Sequence, residues 1–153
     1  EVPIAHYMGN IAWFDQSARF PNRRFSNDIC DVCIVWYTPA RYLRGEPLFE
    51  GDLFQEIVRE NRQLVDMRAP DAQLWVMGQT YAQQAHRNQL RMPTPDEMAL
   101  MYTIAEQERA DGFLWYPWLH GNYDQVLSDP DMEPQRDAVH KIYESYVLQQ
   151  ASE

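Results

Sequence analysis

The stretch QLWVMGQTY, Gln73 to Tyr81, is apolar on consecutive positions from Leu74 to Met77 and closes with glycine, glutamine, threonine and tyrosine. A strand with one wet face alternates apolar and polar residues. An unbroken apolar run of strand length predicts a strand buried on both faces, as in a parallel sheet. Three other runs have the same character: VPIAHYM (Val2–Met8), DVCIVWYTP (Asp31–Pro39) and GFLWYPW (Gly112–Trp118).

Helical patterns separate these runs. Asp52 is placed to cap a helix whose Leu53, Phe54, Ile57, Val58, Leu64 and Val65 form one stripe and which ends before Pro70. Thr94-Pro95-Asp96-Glu97 reads as a capping box with proline at the first helical position. It opens a helix with Met98, Met101, Ile104 and Ala105 inward, stopped by Asp111-Gly112. Glu133-Pro134 begins a last helix with Val139, Ile142, Tyr143, Tyr146 and Val147 on its apolar face. Asn10 to Asp28 is less regular, with room for a short helix near Ile11–Ala18.

The order is therefore β(α)βαβαβα, an α/β pattern. Strand starts recur roughly every 30–40 residues, close to the mean unit of a (β/α)8 barrel. A flavodoxin-like or Rossmann sheet is the alternative, but neither G-x-G-x-x-G nor G-x-x-x-x-G-K-[ST] occurs. The expectation is one unit over residues 1–153: four consecutive βα units with parallel strands. That is half of a barrel, part of a larger barrel or assembly.

Composition narrows the function. The net charge of −10 disfavours a nucleic-acid partner, because an acidic surface repels phosphates. Neutral ligands such as sugars are compatible with it. No apolar run approaches the roughly 20 residues of a membrane span. The two cysteines, Cys30 and Cys33, form a single CDVC, and the four histidines are dispersed, so no metal site and no cofactor is expected. Such a pair can be redox-active or half of a zinc site, but Cys33, inside VCIVWY, reads as a small buried hydrophobe, and the sequence leaves the redox state of both cysteines open. The Met98/Met101 pair reads as core.

In α/β sheets ligands meet the C-terminal ends of the strands. Those ends carry His6-Tyr7, Trp36-Tyr37, Gln79-Thr80-Tyr81 and Trp115-Tyr116, followed by Trp118 and His120. Rings that match the C–H faces of sugars, with sparse polar groups for hydroxyls, suit a saccharide pocket. Some rings must instead fill the interior. Trp75, mid-strand, reads as core, whereas Trp36 and Trp118 stand at or past the end of their runs. The candidate substrate-binding set is His6, Trp36, Tyr37, Gln79, Tyr81, Tyr116, Trp118 and His120.

The block from Leu74 to Trp118, with its Gln-plus-aromatic strand end, its Pro-Thr-Pro-x-Glu-Met helix start and its Gly-aromatic strand, resembles the last two βα units of glycoside-hydrolase-type (β/α)8 barrels. CDVCIVWYTP is similar to the family's strand ending in Tyr-Pro, with Thr38 interposed. The resemblance implies that the chain supplies strands five to eight and binds an oligo- or polysaccharide. It also implies a secreted or periplasmic setting. Retaining enzymes of this kind use two carboxylates, one after the fourth strand and one after the seventh. The fourth strand is not among these runs, and Gly78-Gln79-Thr80 stands where a Glu is expected. Catalytic carboxylates would then lie mostly outside this chain. The acids nearest to strand ends are Asp15, Glu46 and Asp124. The alternative reading is a non-catalytic saccharide-binding or assembly protein on a barrel scaffold. In either case a complementary half-barrel chain, or a homodimer, would pair the open sheet edges.

Overall fold

The computed structural model describes residues 5–9, 31–84, 89–117 and 123–150, with only the backbone at 5–9 and 149–150. The elements in chain order are β1 (Ala5–Gly9), β2 (Val32–Trp36), β3 (Ala40–Leu43), β4 (Glu46–Phe49) and α1 (Gly51–Arg68). They continue as β5 (Gln73–Gln79), β6 (Tyr81–Ala82), α2 (Pro95–Gln107), β7 (Gly112–Tyr116), β8 (Gln125–Val126), a 3-10 turn at Pro130–Met132 and α3 (Glu133–Gln150). The fold is mixed α/β. Its main sheet runs β1-β2-β5-β7, every pair parallel, so strands sit in space in the order they occur in the chain.

Each of β2, β5 and β7 is followed by a helix. The helix expected near Ile11–Ala18 lies outside the described residues, so three of the four anticipated βα units are seen. Among the described residues the sheet is open, with β1 and β7 at its edges, and no barrel closes.

The helices share one face of the sheet. There Cys33, Val35, Leu74 and Val76 pack against Phe54, Ile57, Val58 and Val65 of α1 and against Met98, Met101 and Ile104 of α2. Phe113 and Trp115 of β7 join this side, as does Val139 of α3. Side chains alternate across a strand, so Ile34, Trp75, Met77 and Leu114 take the opposite face, and all four are half-buried. The unbroken apolar runs predict two covered faces; the described residues cover one. Trp75 is thereby corrected from core filler to a half-buried residue of the open face, its Nε1 donating to Gln73 Oε1 at 3.0 Å.

Two glycines permit ring contacts on opposite faces. A Cβ on Gly78 would stand 2.6 Å from the Trp115 ring and 2.7 Å from Phe113 on the helix side. A Cβ on Gly112 would stand 2.6 Å from the Trp75 indole on the open side.

Helix α2 begins as its sequence predicts: Thr94 accepts from the Glu97 amide, and the Glu97 side chain returns to the Thr94 amide. Helix α1 starts earlier than Asp52 implies. Glu50 occupies the capping position without a side-chain cap, and Asp52 becomes a first-turn acid that complements the helix dipole. Cys33 is fully buried, as expected, and its redox state, which the sequence leaves open, is that of a disulfide. Cys30 lies outside the described residues.

A second layer lies beyond the C-terminal strand ends. The β3–β4 hairpin turns on Arg44 (φ 55°) and Gly45 (φ 90°), the pair of positive φ values a primed two-residue turn requires. Leu90 bridges Arg41 on one side and Gln83 on the other, and β6 pairs with β8. The result is a small antiparallel ribbon drawn from the loops after β2, β5 and β7. The Gln79–Tyr81 run, read as one strand, breaks at Thr80, whose amide donates to Tyr116 O at 3.0 Å and whose hydroxyl donates to Pro117 O at 2.9 Å.

Candidate functional site at the C-terminal strand ends

Register places the predicted residues. Trp36 is level with Met77 across β2 and β5, and Gln79 is level with Tyr116 across β5 and β7. Trp36, Tyr81, Tyr116 and Tyr123 form one aromatic cluster. Trp36 lies 6.3 Å from Tyr81 and 6.2 Å from Tyr116, and Tyr123 lies 4.4 Å from Tyr81 and 6.5 Å from Tyr116. The rings meet tilted or edge-on, geometries that the aromatic quadrupole favours. Tyr81 is buried, whereas Tyr116 is 40% exposed and is the ring of the cluster that most offers itself to a ligand. The Tyr123 hydroxyl donates to that of Tyr116 at 3.4 Å, and this bond, with burial, pushes the Tyr123 pKa up to about 12.

Tyr37 takes the other direction. By alternation it follows Cys33 and Val35 to the helix side and packs against that core. Its hydroxyl donates to Glu50 Oε2 and accepts from Arg41 Nη2 at 2.9 Å, while Arg41 Nε pairs with Glu50 Oε2 at 2.9 Å. Burial first, then the Glu50 carboxylate, raises the Tyr37 pKa well beyond the ordinary tyrosine range, so the hydroxyl stays a donor at any working pH. Glu50 and Arg41 are the charged residues at this rim that sequence reasoning missed. Neither belongs to a motif, and only the hairpin brings Glu50 back beside Tyr37, its amide donating to Pro39 O at 3.1 Å.

Gln79 is fully buried, its amide engaged with backbone of Ala40, Tyr81 and Arg91. Arg91 in turn holds Glu97 through two bonds of 2.6 and 2.7 Å and Leu48 O at 3.0 Å. Burial raises the Glu97 pKa, but the Arg91 bonds and the Thr94 amide outweigh it and leave the carboxyl below its usual value.

Of the acids considered from sequence, Glu46 is exposed at the start of β4. Asp124 is exposed and accepts from the Gln84 amide. Asp15, Trp118 and His120 lie outside the described residues, and His6 is described by its backbone alone. Among the described residues no group of three or more His, Cys, Asp or Glu is placed to hold a metal ion. No described helix is long and apolar enough to cross a membrane.

A separate groove of about 550 Å³ lies beside β7, lined by Trp75, Phe113 and Trp115 of the sheet, Tyr102 of α2, and Tyr143 and Tyr146 of α3. Tyr143 and Tyr146 are exposed, so the apolar stripe of α3 is only partly covered.

No family model and no curated protein matches the chain. A solved structure to which it is similar is the crystal structure of a putative alpha-L-fucosidase from Bacteroides thetaiotaomicron, at 14% identity and a TM-score of 0.46. The match covers 78% of this chain and 31% of that protein.

Proposed function

We propose that this chain is the saccharide-contacting part of a glycoside-hydrolase-like barrel. One observation carries the reading: Trp36, Tyr81, Tyr116 and Tyr123 gather at the C-terminal ends of a parallel sheet whose strands follow chain order. That is the end at which such sheets take ligands. Tyr116 and Trp36 supply the platform, with Trp118, His120 and His6 as further contacts from the adjoining strand ends. Tyr37 and Gln79 contribute behind this layer, by holding the rim. The disulfide at Cys33 supports a secreted or periplasmic setting.

The half-barrel part of the proposal rests on the open face. Ile34, Trp75, Met77 and Leu114 are half-buried, and the aromatic groove runs along the free edge of β7. A complementary half-barrel would cover both, adding a parallel strand to β7; a second copy of the chain is the other candidate. Native mass spectrometry separates them, by a heteromeric mass or by twice the chain mass. A monomer that stays monomeric at high concentration counts against barrel completion.

The buried amide at Gln79 favours a second reading, in which the scaffold binds sugar without hydrolysing it. Isothermal titration with neutral oligosaccharides, beside an assay of 4-nitrophenyl glycoside turnover, decides between the two. Tyr116→Ala is expected to weaken binding about tenfold, the loss of one stacking ring. Unchanged affinity in that variant would remove Tyr116 from the site.

A further inference from the structure

Gln79 closes β5, and its surroundings are those of an amide. The side chain is 0% exposed. Its Oε1 accepts from Ala40 N at 3.0 Å. Its Nε2 faces three carbonyl oxygens, those of Ala40 at 3.1 Å, Tyr81 at 3.0 Å and Arg91 at 2.8 Å. Two N–H hydrogens are shared among three acceptors, so the demand at this atom is for donors only.

The three backbone partners belong to different parts of the ribbon. Ala40 opens β3, Tyr81 opens β6, and Arg91 follows Leu90, which bridges the strands on either side. Arg91 N also donates to Ala40 O at 3.2 Å, closing the circuit. We infer that Gln79 is a positioning residue, whose amide pins the antiparallel ribbon to the sheet and so fixes the mouth ring Tyr81 against Trp36. The pocket that holds it is built to exclude a carboxylate.

The exclusion is electrostatic. A glutamate in this place would keep the bond from Ala40 N. Its other oxygen would meet three carbonyl oxygens at hydrogen-bond distance in a site closed to bulk solvent. Burial and the carbonyl dipoles both favour the protonated acid, and that acid has one hydrogen for three acceptors. Gln79 thus acts through its amide, and Gln79→Glu would not turn it into a nucleophile. The functional consequence rests on the mouth being the saccharide site; the clamp itself does not, and its test needs no ligand.

Thermal melts of the wild-type chain, Gln79→Glu and Gln79→Met between about pH 4 and pH 8 provide that test. A carboxyl with a raised folded pKa costs nothing below its unfolded value, and the cost grows as pH climbs toward the folded value. Gln79→Glu should therefore melt close to Gln79→Met or above it at the acid end. Its deficit against wild type should widen to roughly 5–10 °C at the alkaline end. Gln79→Met should show a deficit that does not change with pH, and neither variant should turn over 4-nitrophenyl glycosides. A Gln79→Glu protein that tracks wild type at every pH, or that gains hydrolysis, overturns the inference. If Gln79→Glu does not fold, hydrogen exchange on Gln79→Met decides. Faster exchange at residues 40–43, 81–83 and 90–91 upholds the clamp, and unchanged exchange there defeats it. Failure of the wild-type chain to bind any sugar would remove the proposed function while leaving these melts to judge the clamp.

Discussion

On the helix side of the sheet Cys33, Val35, Leu74 and Val76 are at most 1% exposed, while Ile34, Trp75 and Met77, their immediate neighbours in the chain, are only half-buried. The two rows are equally apolar and share the same strands. What differs is the cover, since α1 and α2 lie over the first row and no described element packs over the second. An apolar residue stabilises a fold only to the extent that something removes it from water. The helix row therefore contributes most of the apolar stabilisation, and the half-buried row contributes less.

The largest difference should appear on truncating each layer. Phe54→Ala, 1% exposed beneath the sheet, should cost about 3–5 kcal/mol in urea unfolding. Met77→Ala on the open face should cost under about 1 kcal/mol in the isolated chain, because little area is lost from a half-wet site. Equal costs would mean that the open face is covered and the contrast mistaken. A rise in the Met77→Ala cost on adding a partner would identify what covers it.

A smaller effect is expected at the glycine that lets aromatic rings cross the strand on the helix side. Gly78→Ala forces a Cβ to within 2.6 Å of the Trp115 ring, and should destabilise by about 1–3 kcal/mol. A neutral result would show that Trp115 and Phe113 can swing outward into the groove, and that this side too is loosely packed near β7.

The smallest is a pH effect at the rim. The Glu97 carboxyl lies below its usual pKa, so its pairing with Arg91 stabilises the fold fully above the unfolded value of about 4.3. The contribution is lost as pH falls through the folded value. Glu97 retains solvent contact, so no more than about 1 kcal/mol is at stake. Chemical denaturation of Glu97→Gln should match wild type in acid and fall below it near neutrality. A gap that is constant with pH would assign the loss to the helix cap instead.

Much of the fold was legible in the residues. Thr94 to Glu97 announced α2 through a cap that needs only local chemistry, and four apolar runs gave the four strands of the parallel sheet. The open face was not legible, because a run such as LWVM states that both sides are apolar and not that both sides are covered. The hairpin of β3 and β4 went unrecognised although Arg44-Gly45 between alternating residues carries its signal. Of the aromatic cluster, Trp36, Tyr81 and Tyr116 were singled out in the sequence because they end their runs. Tyr123 was missed, since it lies in a loop and joins the cluster only through the pairing of β8 with β6. Gln79 was seen as a departure from a pattern, but its role needed three backbone carbonyls distant in sequence.

The placement of the ligand at the C-terminal strand ends is tested most directly by hydrogen exchange with and without saturating neutral oligosaccharide. Protection is expected at residues 36–38, 79–81 and 116, where the rings and the rim meet. Protection confined to the groove beside β7, around Gly112 and Tyr143, would contradict that placement. So would exchange that sugar leaves unaltered at every residue.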